Sequence, residues 1–166
     1  STSYGNNGTN NGTTDFAAKI ANGRNFSGSG YITVNHHASL QMSDVITVEA
    51  WVLPDSNFVW QTIISKMVAQ QEDLYFVLDD NASSLYAGLS GVLVDWDSGA
   101  DVSTGSWQHV ALTYDGSNVR VYRNGSATST AGTGTLDLGT NTQPLYIGYN
   151  EGWPGEIWSG KLDEVR

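Results

Sequence analysis

The sequence predicts an all-β protein in which two antiparallel sheets are stacked face to face. Short runs of β-branched and aromatic residues recur along the chain, and polar or glycine-bearing turns separate them. No long segment carries apolar positions at the spacing of a helix. One run, residues 45–53, is apolar on nearly both faces, which is typical of a central strand that is covered on both sides.

The predicted strands follow one another in quick succession. They cover residues 31–34, 45–53, 62–65, 74–78, 85–89, 107–114, 119–123, 145–149 and 160–165. The turn at 115–118 is expected to join two of them as a hairpin, and Asn124-Gly125 is a strong tight-turn signal. Helical turns are expected only within residues 40–45 and 67–73.

Composition and charge exclude several classes of function. The chain has 166 residues, 7 Lys and Arg against 17 Asp and Glu, and a formal net charge of −10. Such an acidic chain is a poor partner for nucleic acid or for an anionic membrane surface. Its 0 cysteines exclude thiol catalysis, cysteine-ligated zinc and disulfides. No apolar stretch is long enough for a membrane-spanning helix, so no membrane insertion is expected.

The beginning of the chain differs from the rest in composition. Residues 1–14 contain Asn-Asn-Gly-Thr twice, at 6–9 and 10–13, and are predicted to form a polar tail or an irregular segment. Residues 15–166 are predicted to form a single domain. The start has neither a basic nor an apolar region, so it is not a signal peptide. We expect a processed or excised module of a larger secreted or cell-surface protein, bacterial in origin, with flanking domains.

Six segments in register carry a resemblance to a known family. They are TVEAWV at 47–52, IISK at 63–66, GSWQHVALTYDG at 105–116, VYRNG at 121–125, LYIG at 145–148 and GKLDEVR at 160–166. Their order and spacing resemble the laminin G-type domains of the concanavalin A-like superfamily, from about Asn7 to the end of the chain. The resemblance implies a two-sheet antiparallel jelly-roll sandwich. It also implies that Trp51, Trp107 and Trp158 lie in the core and that His109 is a packed, non-catalytic histidine.

The same resemblance implies a structural Ca²⁺. Relatives often hold the ion between the strand near residues 25–30 and the aspartate of the final motif, here Asp163. Where relatives carry Asp, this sequence has Ser27, and main-chain carbonyls around Asn25 and Gly28 are expected to contribute oxygen ligands. A second cation cluster is conceivable at Asp79-Asp80-Asn81 or at Asp95-Trp96-Asp97.

Catalysis is tested against the carboxylates that a glycosidase needs. Asp95 and Asp97 have the spacing of one strand face, but their segment is interpreted as a loop. Asp163 and Glu164 are adjacent and would face opposite ways. A polysaccharide lyase of this fold would need lysine or arginine side chains that neutralise a uronate. The whole chain has only 7 Lys and Arg, which argues against a lyase. The chain is therefore predicted to be non-catalytic.

Three tryptophans, Trp60, Trp96 and Trp153, fall in segments interpreted as loops. A loop tryptophan either caps the core or stacks on a ligand, and an indole suits the apolar face of a sugar. Polar partners for sugar hydroxyls stand next to them, so the predicted ligand-binding residues are Trp60, Trp96, Asp97, Tyr149, Asn150, Glu151 and Trp153.

The predicted function is that of a non-catalytic module that binds polysaccharide by aromatic stacking. One alternative is a protein-binding or architectural module of an adhesin, a fibre or a multidomain enzyme. A second is a glycoside hydrolase or polysaccharide lyase of the same fold. Exposed tryptophans along a groove favour sugar binding, buried ones favour the architectural module, and facing carboxylates in a cleft favour an enzyme.

Overall fold

Two stacked antiparallel sheets, each of seven strands, make up the structure. The computed structural model describes residues 4–56, 60–68, 71–79, 84–132, 134–138 and 141–166. Asp80 and Asn81, part of one predicted cation cluster, lie outside the described residues. Within the described residues, no helix is both long and apolar enough to cross a membrane.

Sheet A contains strands from both halves of the chain. Its order is β1 (Gly8–Asn11), β4 (Tyr31–Val34), β13 (Leu145–Ile147), β6 (Gln61–Val68), β7 (Gln71–Leu78), β8 (Ser84–Leu89) and β9 (Leu93–Asp101). Neighbouring strands in this sheet pair antiparallel. One turn of 3-10 helix, Ala38–Leu40, follows β4.

Sheet B is built in the same way. Its order is β12 (Ser126–Ala131), β11 (Val119–Arg123), β10 (Gln108–Tyr114), β5 (Ile46–Pro54), β14 (Ser159–Asp163), β3 (Asn22–Ser27) and β2 (Thr14–Ala17). The predicted central strand, β5, is the fourth of the seven and pairs with β10 and β14. This arrangement confirms the predicted two-sheet sandwich.

The core lies between the sheets and is built by alternation along each strand. In β5 the side chains of Ile46, Val48, Ala50 and Val52 are buried, and the residues between them are more exposed. Trp158 is fully buried in this core, as predicted. A strand buries every second side chain because successive Cβ atoms point to opposite faces.

The alternation also corrects one expectation. Trp51 belongs to the other face of β5 and is half-buried on the outside of sheet B, where its ring contacts His109 and Lys19. Trp107 precedes β10 and is likewise half-buried rather than part of the core between the sheets. The apolar neighbours of Trp51, Ala50 and Val52, belong to the opposite face of β5, so their burial does not imply burial of Trp51.

Five strands were not among the predicted ones: β1, β2, β3, β9 and β12. The prediction of a tail or irregular segment over residues 1–14 is wrong for residues 8–11, which pair with β4 as an antiparallel strand. The expected helical turn at 67–73 is also wrong, because residues 67–68 and 71–73 belong to β6 and β7. Pairing with a neighbour supplies the backbone hydrogen bonds in these segments, whatever their own composition.

Residues 8–17 cross from one sheet to the other. β1 is the edge strand of sheet A, and β2, which follows it directly, is the edge strand of sheet B. At the crossing the chain passes close to Gly30, where a Cβ atom would lie 2.9 Å from backbone atoms of Gly12 and Thr13. Only glycine leaves room for this approach. One short segment therefore supplies the edge strands of both sheets on the same side of the sandwich.

Candidate functional site

A pocket of about 170 Å³ opens on the outer face of sheet A, the face turned away from sheet B. It is lined by Trp60, Tyr75, Val77, Asp95, Trp153 and Glu156, and we call it the tryptophan pocket. A second hydrophobic cluster, separate from the core, underlies it: Met67, Tyr75 and Val77 are buried, and Trp60, Tyr86 and Trp153 pack against them. The pocket therefore combines aromatic walls with two carboxylates.

Strand alternation in β7 places the floor of the pocket. Leu74, Phe76 and Leu78 point into the core, so Tyr75 and Val77 point outward. The ring of Tyr75 lies over Gly88 in β8, where a Cβ atom would stand 2.1 Å from the ring. Its hydroxyl donates a hydrogen bond of 3.0 Å to Asp95 Oδ1. Tyr75 is almost fully buried, so its ring forms the base against which Trp60, Tyr86 and Trp153 pack.

A β-bulge in β9 turns Asp95 toward this pocket. The pairing of β8 with β9 shifts register between Ala87 and Leu89, and Asp95 has a φ of 49°. Aspartate tolerates this left-handed conformation better than most residues. The predicted loop at Asp95-Trp96-Asp97 is therefore wrong, since the segment is a bulged strand.

Trp96 is the predicted ligand-binding residue that the structure removes from the site. It pairs with Ala87 and packs against the core between the sheets. Asp97 accepts hydrogen bonds from Ser84 Oγ and, at 2.8 Å, from the backbone N–H of Gly99. Both contacts hold strand β9 in place, and neither residue lines the tryptophan pocket.

Trp60 and Trp153, both predicted ligand-binding residues, line the same pocket. Trp60 comes directly before β6, and its ring meets the ring of Tyr86 edge-on, with centroids 5.0 Å apart. Trp153 stands in the segment after β13, across the pocket from strands β7 and β9. Two indoles from distant parts of the chain thus share one pocket.

Asn150 holds the segment that carries Trp153. Its side chain is fully buried, and Nδ2 donates to Glu156 Oε2 at 2.8 Å, while Oδ1 accepts from the N–H of Gly152 at 3.0 Å. The N–H of Glu156 in turn donates to the carbonyl of Trp153 at 2.9 Å. Asn150 therefore positions Trp153 and Glu156 from beneath, so its predicted contact with a ligand is indirect.

Tyr149 and Glu151 belong to a second aromatic group on the same face. The rings of Tyr31 and Tyr149 stack with centroids 4.9 Å apart, and Tyr146 meets Tyr149 edge-on at 5.3 Å; we call these three residues the tyrosine cluster. Burial and the neighbouring carboxylate of Glu151 raise the pKa of Tyr146 to about 12. Ser65 Oγ donates to the carbonyl of Tyr149 at 2.8 Å and ties the cluster to β6.

The predicted calcium ligands do not meet. β14 and β3 pair antiparallel, so Ser27 faces Ser159, whereas Asp163 lies four residues further along, about 13 Å away. The carboxylate of Asp163 already accepts hydrogen bonds from the N–H groups of Ile20, at 2.6 Å, and Glu164, at 2.8 Å.

The four residues Asn25, Ser27, Gly28 and Asp163 therefore do not fit one cation. Among the described residues, no group of three or more His, Asp or Glu side chains is placed to hold a metal. A structural calcium elsewhere in the protein stays a prediction.

Sequence reasoning did not place Tyr75, Asp95 or Glu156 among the ligand-binding residues. Tyr75 lies in an apolar strand without clear alternation, so its face could not be read from the sequence. Asp95 requires the bulge of β9, and Glu156 requires the fold of the segment after β13. For Glu156, the available signal was its place three residues after a loop tryptophan.

One family model matches most of the chain. The model of the Laminin_G_3 family, described as the concanavalin A-like lectin/glucanases superfamily, matches residues 26–166. No curated protein matches the sequence.

Solved structures share the fold at low identity. Domain 4 of AbnA, an extracellular GH43 arabinanase of Geobacillus stearothermophilus solved with arabinotriose, is 24% identical with a TM-score of 0.75; the match covers 96% of this chain and 80% of that one. The binding domain of Paraclostridial mosquitocidal protein 1 is 15% identical with a TM-score of 0.74, over 96% of this chain and 43% of that one.

Domains LG4-5 of the mouse laminin α1 chain are 15% identical with a TM-score of 0.52, over 75% of this chain and 36% of that one. This chain thus spans less than half the length of the last two structures. At these identities the likeness describes the fold of the chain.

Proposed function

The chain belongs to the concanavalin A-like lectin/glucanase superfamily, and on that premise we propose that it is a non-catalytic module that binds polysaccharide in the tryptophan pocket. The observation that carries the proposal is that Trp60 and Trp153 both pack against the cluster containing Tyr75 and line one pocket. We further propose that the module belongs to a larger secreted protein, as the sequence predicted.

The proposed mechanism is stacking combined with hydrogen bonding at the edge of the sugar. The apolar C–H face of a sugar ring packs against an indole, which removes apolar surface from water on both partners. The sugar's hydroxyls then donate to the carboxylates of Asp95 and Glu156, and such charge-assisted hydrogen bonds are stronger than neutral ones. Tyr75 and Asn150 hold these two carboxylates in place.

The similarity to an arabinanase domain solved with arabinotriose supports the choice of the first probe. Linear arabinan heads a panel of soluble polysaccharides that also contains xylan, galactan and hydroxyethyl cellulose. Affinity of a single open pocket is expected to be modest, and display of several modules on one polymer would increase it.

Tryptophan fluorescence during titration with this panel tests the proposal. We expect a saturable change with at least one polymer, and a loss of affinity of about tenfold or more for Trp60→Ala and for Trp153→Ala. Trp51→Ala is the matched control, because Trp51 is also half-buried but lies on the outside of sheet B. No saturable change with any polymer, or equal losses in all three variants, would count against the tryptophan pocket.

The two carboxylates in the pocket make glycoside hydrolysis a second candidate function. Asp95 accepts its hydrogen bond from the Tyr75 hydroxyl and Glu156 from the Asn150 amide. Both arrangements suit an acceptor, whereas a glycosidase needs one carboxyl group that donates a proton to the leaving oxygen. We therefore expect no release of reducing ends from the panel; release that disappears in Glu156→Gln would establish catalysis instead.

A further inference from the structure

The positive charges of this chain are divided unequally between the two sheets. The sequence has 7 lysines and arginines, all within the described residues. Six lie on sheet B or in segments that flank its strands: Lys19, Arg24, Arg120, Arg123, Lys161 and Arg166. Arg123 reaches furthest toward sheet A, and its guanidinium donates to the carbonyl of Asp101, about 20 Å along β9 from Asp95.

The seventh cation, Lys66, is in sheet A but cannot serve a ligand. Its side chain is fully buried, and its Nζ donates to the carbonyls of Asn141, at 2.6 Å, and Gln143, at 2.9 Å. The outer face of sheet A therefore offers no exposed lysine or arginine among the residues that the structure describes.

The same face collects carboxylates. Asp95 and Glu156 line the tryptophan pocket, Asp97 acts on Tyr86 in the cluster beneath it, and Glu151 acts on the tyrosine cluster of the same face. Burial raises the pKa of the neighbouring Tyr86 phenol, and the carboxylates of Asp97, Asp79 and Asp95 raise it further. The pocket is thus an aromatic surface in a negative field.

We propose that this charge separation makes the tryptophan pocket selective for uncharged glycans and against anionic ones, such as uronate-containing or sulfated polymers. The inference rests on the proposed function and defines its ligand class. An anionic sugar stacked on Trp60 or Trp153 would bring its charge close to Asp95 and Glu156, where partial burial strengthens the repulsion. A neutral sugar meets the same carboxylates as hydrogen-bond acceptors.

Matched polymers test the selectivity directly. Linear arabinan and hydroxyethyl cellulose are each compared with a carboxymethylated form of the same backbone, at about 20 mM and about 500 mM salt. For a backbone that binds, we expect the carboxymethylated form to bind about tenfold more weakly at low salt, and the gap to shrink at high salt as screening increases.

Two double variants distinguish repulsion by the pocket carboxylates from repulsion by the net charge of the chain. Asp95→Asn with Glu156→Gln removes two charges from the pocket and keeps an oxygen acceptor at each position. Asp15→Asn with Asp115→Asn removes two charges from sheet B and its turns, where these residues pair with Arg24 and Arg120. We expect only the first pair to bring the two polymer forms within about threefold of each other.

Equal binding of neutral and carboxymethylated polymers by the wild type would overturn the selectivity while leaving the glycan-binding proposal intact. Equal responses of the two double variants would also overturn it, because repulsion would then come from the net charge alone. Binding of no polymer in either form would refute the proposed function, and the selectivity with it.

Discussion

The outer faces of the two sheets use aromatic side chains in opposite ways. On sheet B, Trp51 is covered by the ring of His109 and by the Lys19 ammonium, 4.8 Å from the ring centroid. On sheet A, Trp60 and Trp153 stand on two sides of an open pocket with no lysine or arginine among its lining residues. Cationic and imidazole partners cover the tryptophan of one face, whereas on the other face two tryptophans line a pocket.

This difference distinguishes two roles for a half-buried tryptophan on the outer face of a sheet. A tryptophan whose face is already occupied by neighbours stabilises the fold, and its loss is measured in unfolding free energy. Under the proposed function, a tryptophan that lines the pocket contributes to binding, and its loss is measured in affinity. Four changes, from the largest expected effect to the smallest, test whether the two faces divide in this way.

Gly88→Ala should disturb the sheet A face most strongly. The new methyl group would lie 2.1 Å from the Tyr75 ring, so the ring must move and its hydrogen bond to Asp95 must break. We expect a loss of about 3 kcal/mol in unfolding free energy and a loss of glycan affinity, measured by urea unfolding and by titration. Gly155→Ala is the control, because a methyl group there meets nothing within 4 Å. A stable Gly88→Ala variant with full affinity would show that Tyr75 does not shape the pocket.

Asn150→Ala should loosen the segment that carries Trp153. The change leaves the N–H of Gly152 and the carboxylate of Glu156 without their buried partner. We expect unfolding to cost about 2 kcal/mol less and glycan affinity to fall with it. If affinity stays unchanged while stability falls, Asn150 supports the fold alone and does not position Trp153.

Trp51→Ala should affect stability without affecting binding. The side chain is half-buried against His109 and Lys19, so its removal is expected to lower the unfolding free energy by about 1 kcal/mol. Thermal unfolding and polysaccharide titration measure the two quantities side by side. A clear loss of affinity here would place a glycan surface on sheet B and end the distinction between the faces.

At neutral pH the smallest effect is expected from Tyr146, because its contribution changes only at alkaline pH. Its pKa is raised from 10.0 in the unfolded chain to about 12 in the folded one, so the folded state keeps the proton longer. The unfolding free energy should therefore fall as the pH rises from 10 to 12, and Tyr146→Phe should reduce this fall. Urea unfolding at several pH values measures it; identical profiles for the two proteins would contradict the assignment.

Sequence patterns predicted the strands that carry runs of β-branched and aromatic residues, and β5 is the clearest example. They missed β1 and β9 for a physical reason. Gly8–Asn11 contains no apolar residue, and its strand form depends on hydrogen bonds to β4, which only the fold brings alongside. β9 contains Asp, Ser and Gly, which normally signal a turn. It nevertheless pairs with β8, because register shifts in the pairing accommodate these residues as bulges.

The candidate site was predictable only in part for a related reason. Trp60 and Trp153 could be singled out because each stands outside an apolar strand, and the structure places both in one pocket. Trp96 was interpreted in the same way, yet it points into the core, since one residue of register decides which face a strand side chain takes. Which distant residues line one pocket depends on the order of strands in the sheet, and local sequence patterns do not predict that order.

The crossing of residues 8–17 from one sheet to the other bears on self-association. β1 and β2 cover β4 and β3, which would otherwise be the outermost strands on that side of the sandwich. Cleavage that released this segment would leave two rows of unpaired N–H and C=O groups, one on each sheet. Those rows are templates for strand addition, so a trimmed molecule could recruit a second copy through both sheets at once. The intact molecule instead presents the four-residue edge strands β1 and β2 on this side, and such short edges are poorer templates for strand addition.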